Sequence, residues 1–192
     1  LILGRAKRIL TNEDGAFRGG SRFLGDSAMT HEEGLIVAYH PSEIANEFVS
    51  LAGHQLPQMK LQKLTFIANG WNLAISGEPL VDTTAEAWDN GPVFREIWDR
   101  IRDLGVTPDG HIRDYSGETC QAMLDSQERQ VVAHVWRRYG NLSSQRLSEL
   151  THQPETPWTQ AYFGRGRNAP IYNDEVEQHY RELALAGRAQ HA

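Results

Sequence analysis

Residues 57 to 77 read Pro57-Gln58-Met59-Lys60-Leu61-Gln62-Lys63-Leu64-Thr65-Phe66-Ile67-Ala68-Asn69-Gly70-Trp71-Asn72-Leu73-Ala74-Ile75-Ser76-Gly77. Leu61, Leu64, Ala68, Trp71 and Ile75 recur at alternating steps of three and four, which places them on one apolar helix face. Pro57 suits the opening of such a helix and Gly77 its left-handed stop. The stretch therefore predicts a central helix of about five turns. On this reading Lys60 and Lys63 flank Gln62 on the polar side of the seam. There they form either a solvated helix face or charged rim contacts to a partner.

Similar punctuation recurs on both sides. Pro41 and Ser42 open a helix whose Ile44, Ala45, Phe48, Val49 and Ala52 share a face, with Gly53 as its stop. Downstream, Leu80-Val81 and Thr84-Ala85-Glu86-Ala87-Trp88 are short segments that could pair as a small hairpin. Asn90-Gly91-Pro92 resets the chain, and Pro92 at a first helical position leads into Phe94, Ile97, Trp98 and Ile101 before Gly105. Residues 106 to 117 read as loop. Asp125 with Glu128 has capping-box spacing ahead of Val132, Val135, Trp136 and Tyr139. Ser143, Thr156-Pro157 and Asn173 each suit the start of a further helix. The sum is a mainly α fold: a single compact helical domain of about seven helices with at most a small β-hairpin.

The chain has 192 residues, 19 Lys plus Arg against 25 Asp plus Glu, and a formal charge of −6. Residues 1 to 28 carry five basic and three acidic groups, a net +2, so the remainder carries −8. We divide the chain into a poorly ordered N-terminal arm (1–38, with Met29 as a candidate natural start), a domain over 39–186 and a tail over 187–192. No apolar run approaches the roughly 20 residues that span a bilayer, and no leader pattern opens the chain. The single cysteine, Cys120, excludes an intramolecular disulfide and suits a reducing compartment. A cytoplasmic location is expected. An acidic domain with a pI near 5.7 is a poor general phosphate binder, which weighs against nucleic acid as a partner.

Catalytic signatures are missing: there is no Gly-x-Ser-x-Gly, no Walker loop and no His-Glu-x-x-His. His31-Glu32-Glu33 lacks the second histidine a zinc protease needs. The eight histidines are dispersed, none at helical ligand spacing. Neither a catalytic set, a metal site nor a cofactor is expected. His152 follows a short helix and precedes a proline-bounded turn, where its imidazole can satisfy a backbone carbonyl. Gly164-Arg165-Gly166-Arg167-Asn168 is either a flexible loop or a weak anion cradle. Of the five tryptophans, Trp71, Trp98 and Trp136 fall on apolar faces and are assigned to the core. Trp88 and Trp158 sit at element junctions, where an aromatic is a packing anchor or a binding hot spot.

The blocks Met59-Lys60-Leu61-Gln62-Lys63-Leu64, Phe66-Ile67-Ala68-Asn69-Gly70-Trp71, Gly77-Glu78-Pro79-Leu80 and Glu86-Ala87-Trp88-Asp89-Asn90-Gly91-Pro92-Val93 follow one another in order. With Leu147-Ser148-Glu149-Leu150-Thr151-His152, Pro157-Trp158 and Ile171-Tyr172-Asn173-Asp174-Glu175, they resemble the Panacea domain of SocA-like antitoxins, a family that includes phage-associated GepA-type proteins. The resemblance runs from about Tyr39 to Leu183. It departs from the family pattern at Asn69, where Gln is common, and at His179, which replaces the first of two tyrosines.

The resemblance implies an antitoxin that neutralises a toxin, encoded by a neighbouring gene, through direct protein contact, with some members presenting the toxin to a cytoplasmic AAA+ protease. The partner-binding residues expected are Lys60, Gln62, Lys63, Trp71, Trp88, Gly91, Pro92, His152 and Trp158. Two other readings stay open. One is a small hydrolase using His152 with Glu149 or Asp174. The other is a nucleic-acid-associated regulator using the basic arm and Arg165 with Arg167.

Overall fold

A computed structural model describes residues 8–9 and 37–189. In chain order these form β1 (Arg8–Ile9), β2 (Val37–Ala38), α1 (Pro41–Ala52), α2 (Gln58–Ser76), β3 (Ala85–Trp88), β4 (Gly91–Val93), α3 (Arg95–Leu104), α4 (Ser126–Tyr139), α5 (Ser144–Thr151), α6 (Pro157–Gly164), β5 (Pro170–Ile171) and α7 (Asn173–Ala189). Seven helices among the described residues, with a small antiparallel sheet, make the mainly α domain that the punctuation predicts. The candidate start at Met29, His31-Glu32-Glu33 and the last three residues lie outside the described residues.

Local chemistry sets the helix ends. Asp125 accepts hydrogen bonds from the backbone N–H groups of Gln127 and Glu128 while the Glu128 carboxylate accepts from the Asp125 N–H, a reciprocal cap. Ser143 accepts from Arg146 N–H and Thr156 from Thr159 N–H. At α1 the cap is His40, whose Nδ1 accepts from the Ser42 N–H at 3.2 Å.

Helix α2 departs from its amphipathic reading. Every residue from Leu61 to Gly70 is buried, polar and apolar alike. Packing explains this: α1, α4, α5, α7 and β4 all lie against α2, so the side assigned to solvent is covered as well. The seam itself ends earlier than its spacing suggests, since Ile75 is 59% exposed. Helix α7 comes close to it, since a Cβ on Gly70 would stand only 2.3 Å from the Tyr180 ring. Polar side chains on such a helix must find partners inside the domain. Asn69 Oδ1 accepts from the Leu80 and Val81 N–H groups at 2.9 and 3.3 Å, fixing that segment onto α2.

The sheet also differs from the expected hairpin. Leu80-Val81 does not pair with β3; it meets Tyr39, through Tyr39 N–H to Leu80 O at 3.0 Å and Asp82 N–H to Tyr39 O at 2.9 Å. Strand β3 instead pairs with β4, Ala87 opposite Pro92 and Trp88 opposite Gly91. On its other side it pairs with β5, Ala85 opposite Ile171. Pro92 therefore lies in a strand, and α3 begins three residues later at Arg95. The proline is accommodated because β4 is an edge of the sheet order β4-β3-β5, where a missing N–H costs no ladder bond. Residues 106 to 117 are loop apart from isolated bridges, Val106 with Ile112 and Arg113 with Thr119.

Candidate functional site

The β3–β4 turn is folded down onto α2. Gly91 completes the reversal with a φ of 105°, a left-handed value that favours glycine. It also passes close to its neighbours: a Cβ there would lie 2.6 Å from Lys63 Cε and 2.8 Å from Thr151 Oγ1. Beneath the turn, Lys63 Nζ donates to the Pro92 carbonyl at 3.0 Å. One residue away on α2, the Gln62 amide donates to Phe94 O at 3.0 Å and accepts from Phe94 N–H at 2.8 Å. Lys63 is 1% exposed, so it is no rim contact on a solvated face. Burial pushes its amine down to about 7.

The outer side of the turn rests on the α5–α6 junction. Trp158 Nε1 donates to Trp88 O at 2.9 Å, and Ser148 Oγ donates to Asn90 O at 2.8 Å. His152 lies at the end of α5 with its Nδ1 on the Ser148 carbonyl and its ring 3.7 Å from that of Trp158. Asp89 accepts from Tyr162 OH at 2.9 Å and pairs with Arg167 at 2.8 Å. The Trp158 and Tyr162 rings stack at 4.8 Å, and Phe163 meets Tyr162 edge-on at 5.3 Å. The strip thus runs from a buried ring, Trp158, to an exposed one: Phe163 is 77% exposed.

On the other flank, Trp88 and Trp98 meet edge to face at 5.7 Å and wall a cleft of about 360 Å³. Gln58, Gln62, Lys63 and Arg167 also line it. Glu86 holds this wall in place, accepting from Trp88 Nε1 at 2.8 Å and from Arg95 at 2.9 and 2.7 Å. Burial alone would raise the Glu86 carboxyl, but these bonds hold it below its ordinary range. A second cleft of about 380 Å³, lined by Phe66, Ile67, Leu150, Tyr180 and Leu183 among others, lies on the far side of Trp158.

The structure brings together Gln62, Lys63, Trp88, Gly91, Pro92, His152 and Trp158. It places the other two expected residues elsewhere. Lys60 Nζ donates to Gly140 O at the end of α4, and Trp71 packs edge-on against Tyr180 at 5.2 Å and His134 at 6.2 Å. Sequence reasoning missed Trp98, assigned to the core but half-buried in the cleft wall, and Asp89, Tyr162 and Phe163. Tyr162 and Phe163 had a signal, an aromatic pair four and five residues after Trp158; Trp98 and Asp89 had none.

Among the described residues no carboxylate pairs with His152. Its ring nitrogens face the Ser148 and Asp89 carbonyls, Glu149 pairs with Arg146 at 2.8 Å, and Asp174 accepts from the Glu175 N–H. The two loop arginines are likewise engaged, Arg165 with Glu175 at 2.6 Å and Arg167 with Asp89. Among the described residues no group of three or more His, Cys, Asp or Glu is placed to hold a metal ion, and no helix is long and apolar enough to cross a membrane.

The domain is thus helical, with a tryptophan-walled cleft beside the β3–β4 turn. The family model described as "Antitoxin SocA-like, Panacea domain" matches residues 61–159, just over half of the chain, and the chain belongs to that family. The matched segment runs from α2 to the start of α6 and so contains the hairpin, both cleft tryptophans, His152 and Trp158. No curated protein and no solved structure matches the chain at a significant level.

Proposed function

We propose that this protein is a non-enzymatic antitoxin that neutralises a toxin, encoded by a neighbouring gene, by direct contact through the face built from the β3–β4 turn and the α5–α6 junction. The observation that carries this reading is the gathering of aromatic side chains on both flanks of the β3–β4 turn, Trp88 and Trp98 walling a cleft on one side and Trp158, Tyr162 and Phe163 packed together on the other, within and beside the family's matched segment. Aromatic residues that are partly buried and rigidly held are the side chains that dominate binding energy. Silencing a toxin present at nanomolar level requires a Kd of that order, about −12 kcal/mol, which scattered surface ion pairs do not supply. A chain with a single cysteine suits action in the cytoplasm.

Coexpression of the adjacent reading frame with and without this gene tests the reading. Growth arrest by the neighbour alone, relieved by this protein, is the expected result; a harmless neighbour, or arrest that persists, rejects it. Following toxin abundance in the same cells separates masking from delivery to an AAA+ protease. Under masking the toxin accumulates in the complex; under delivery it disappears, and returns when the protease gene is deleted.

A further inference from the structure

An ammonium group has three N–H donors, and the structure gives that of Lys63 one acceptor, the Pro92 carbonyl. Buried charges are ordinarily paired, because desolvation is costly without a counter-charge. Among the described residues no carboxylate pairs with Lys63. The acidic groups nearest the cleft are already committed, Asp89 to Arg167 and Tyr162, and Glu86 to Arg95 and Trp88. The same lysine lines the floor of the cleft whose walls are Trp88 and Trp98.

We infer that this cleft receives a carboxylate side chain, an Asp or Glu of the partner protein, onto Lys63 Nζ, with the two tryptophan rings closing over its methylene stem. The inference rests on the proposed toxin-binding face and specifies what enters it. Charge selects the ligand class. Arg167 and Arg95 are neutralised by their own partners, so among the described residues lining the cleft Lys63 is the basic group left without a counter-charge, which matches a carboxylate. A phosphate group calls for two or more cationic donors or an arginine fork. The amine's depressed titration is the mark of a charge short of compensation, and an incoming carboxylate would restore it. The charged groups that share the cleft with it are Asp89 on the turn and Arg167 after α6, which pair with each other.

The first test uses the full chain labelled with 13C-lysine, the Lys63 signal being assigned by its loss in Lys63→Met. Its titration midpoint is followed in acetate, in acetamide and in inorganic phosphate at matched ionic strength. Acetate should raise the midpoint by about one pH unit or more, the effect of an opposite charge at contact distance, and acetamide should leave it unchanged. Equal midpoints in acetate and acetamide, or a response to phosphate alone, overturn the inference. The second test measures binding of the coexpressed neighbour. Lys63→Met, shown to be folded by its circular dichroism and melting curve, should weaken the complex at least tenfold. If the wild-type protein neutralises the toxin and Lys63→Met binds it equally well, the inference fails and the antitoxin reading stands. If the wild-type protein does not bind its neighbour, that reading fails, and the acetate titration decides whether the cleft takes a carboxylate.

Discussion

Gln62 and Phe94 are joined by two hydrogen bonds in opposite directions, the side-chain amide giving one to the Phe94 carbonyl and taking one from the Phe94 N–H. Both partners are buried. This single side chain stitches the start of α3 to the central helix and gives the Phe94 N–H its acceptor, while the Phe94 carbonyl also accepts from the Ile97 and Trp98 N–H groups. Gln62→Leu keeps the volume and removes both bonds, leaving the buried Phe94 N–H unsatisfied while its carbonyl keeps those two backbone donors. One such donor costs about 1–3 kcal/mol, so a loss in that range in urea unfolding is expected, and a loss below about 0.5 kcal/mol would mean that water replaces the amide.

Gly91 and Gly77 both take positive φ, 105° and 78°, but only Gly91 is crowded. Gly77→Ala should cost about 1 kcal/mol for the backbone alone. Gly91→Ala adds a contact with Lys63 Cε and Thr151 Oγ1 and should cost more, about 2–4 kcal/mol. Because it dislodges the turn, it should also weaken toxin binding, whereas Gly77→Ala should not. Equal melting temperatures for the two variants would argue against the close packing of turn on helix.

Lys63 makes stability depend on pH with a definite sign. In the unfolded chain a lysine titrates near 10.4, and in the folded chain burial brings Lys63 to about 7. Between those values the unfolded state binds the proton and the folded state does not, so stability rises with pH over that window. Below it, both states are protonated and the full desolvation cost is present. Lys63→Met lacks this dependence. The stability of the variant relative to wild type should therefore be most favourable near pH 6 and decline as pH approaches 10; parallel profiles would show that the amine is solvated in the folded protein.

The loop after α3 carries a second group that makes stability rise with pH, in a more acidic window. Burial alone would raise the Asp114 carboxyl, but hydrogen bonds from Ser116 Oγ, Cys120 Sγ and the Ser116 and Glu118 N–H groups hold it well below the usual carboxylate range. Its contribution is present above the unfolded value of about 3.9 and is lost as pH falls below it. Asp114→Asn should be less stable than wild type at pH 7, and the gap should close toward pH 2 in thermal unfolding.

Phe163 separates binding from folding. It is exposed, so Phe163→Ala should alter stability by no more than about 0.5 kcal/mol. As the outer end of the aromatic strip it should still weaken the toxin complex by about 2 kcal/mol, roughly thirtyfold. Calorimetric titration of the coexpressed toxin reads this directly, and unchanged affinity would move the contact away from the strip.

Helix positions were legible because their signals are local. The Asp125–Glu128 cap, the Thr156-Pro157 start and the stops at Gly53 and Gly77 depend on residues a few positions apart, and each appears where the pattern puts it. The sheet was not, because its third strand comes from residues more than eighty positions away, and two residues, Pro170 and Ile171, have no periodicity to read. For the same reason Lys63 was misplaced. Periodicity identifies one apolar face of α2 but does not reveal that the remaining faces are covered by α5, α7 and β4. The candidate site was half visible: Trp88 and Trp158 stood out at junctions, while Trp98 looked like any other apolar-face aromatic until α3 was seen to start at Arg95.

Strand β5 sets an order of events on the ribosome. The turn that carries Gly91 and Pro92 is synthesised midway through the chain, yet β3 gains its second neighbour only when Pro170 and Ile171 emerge, and α2 is covered only when α7 follows. Domains fold as units during synthesis, and here the unit closes at its C-terminal end. A nascent chain stopped short of α7 therefore leaves one side of α2 uncovered, and on the proposed reading it would meet a toxin before the helix beneath the turn is packed.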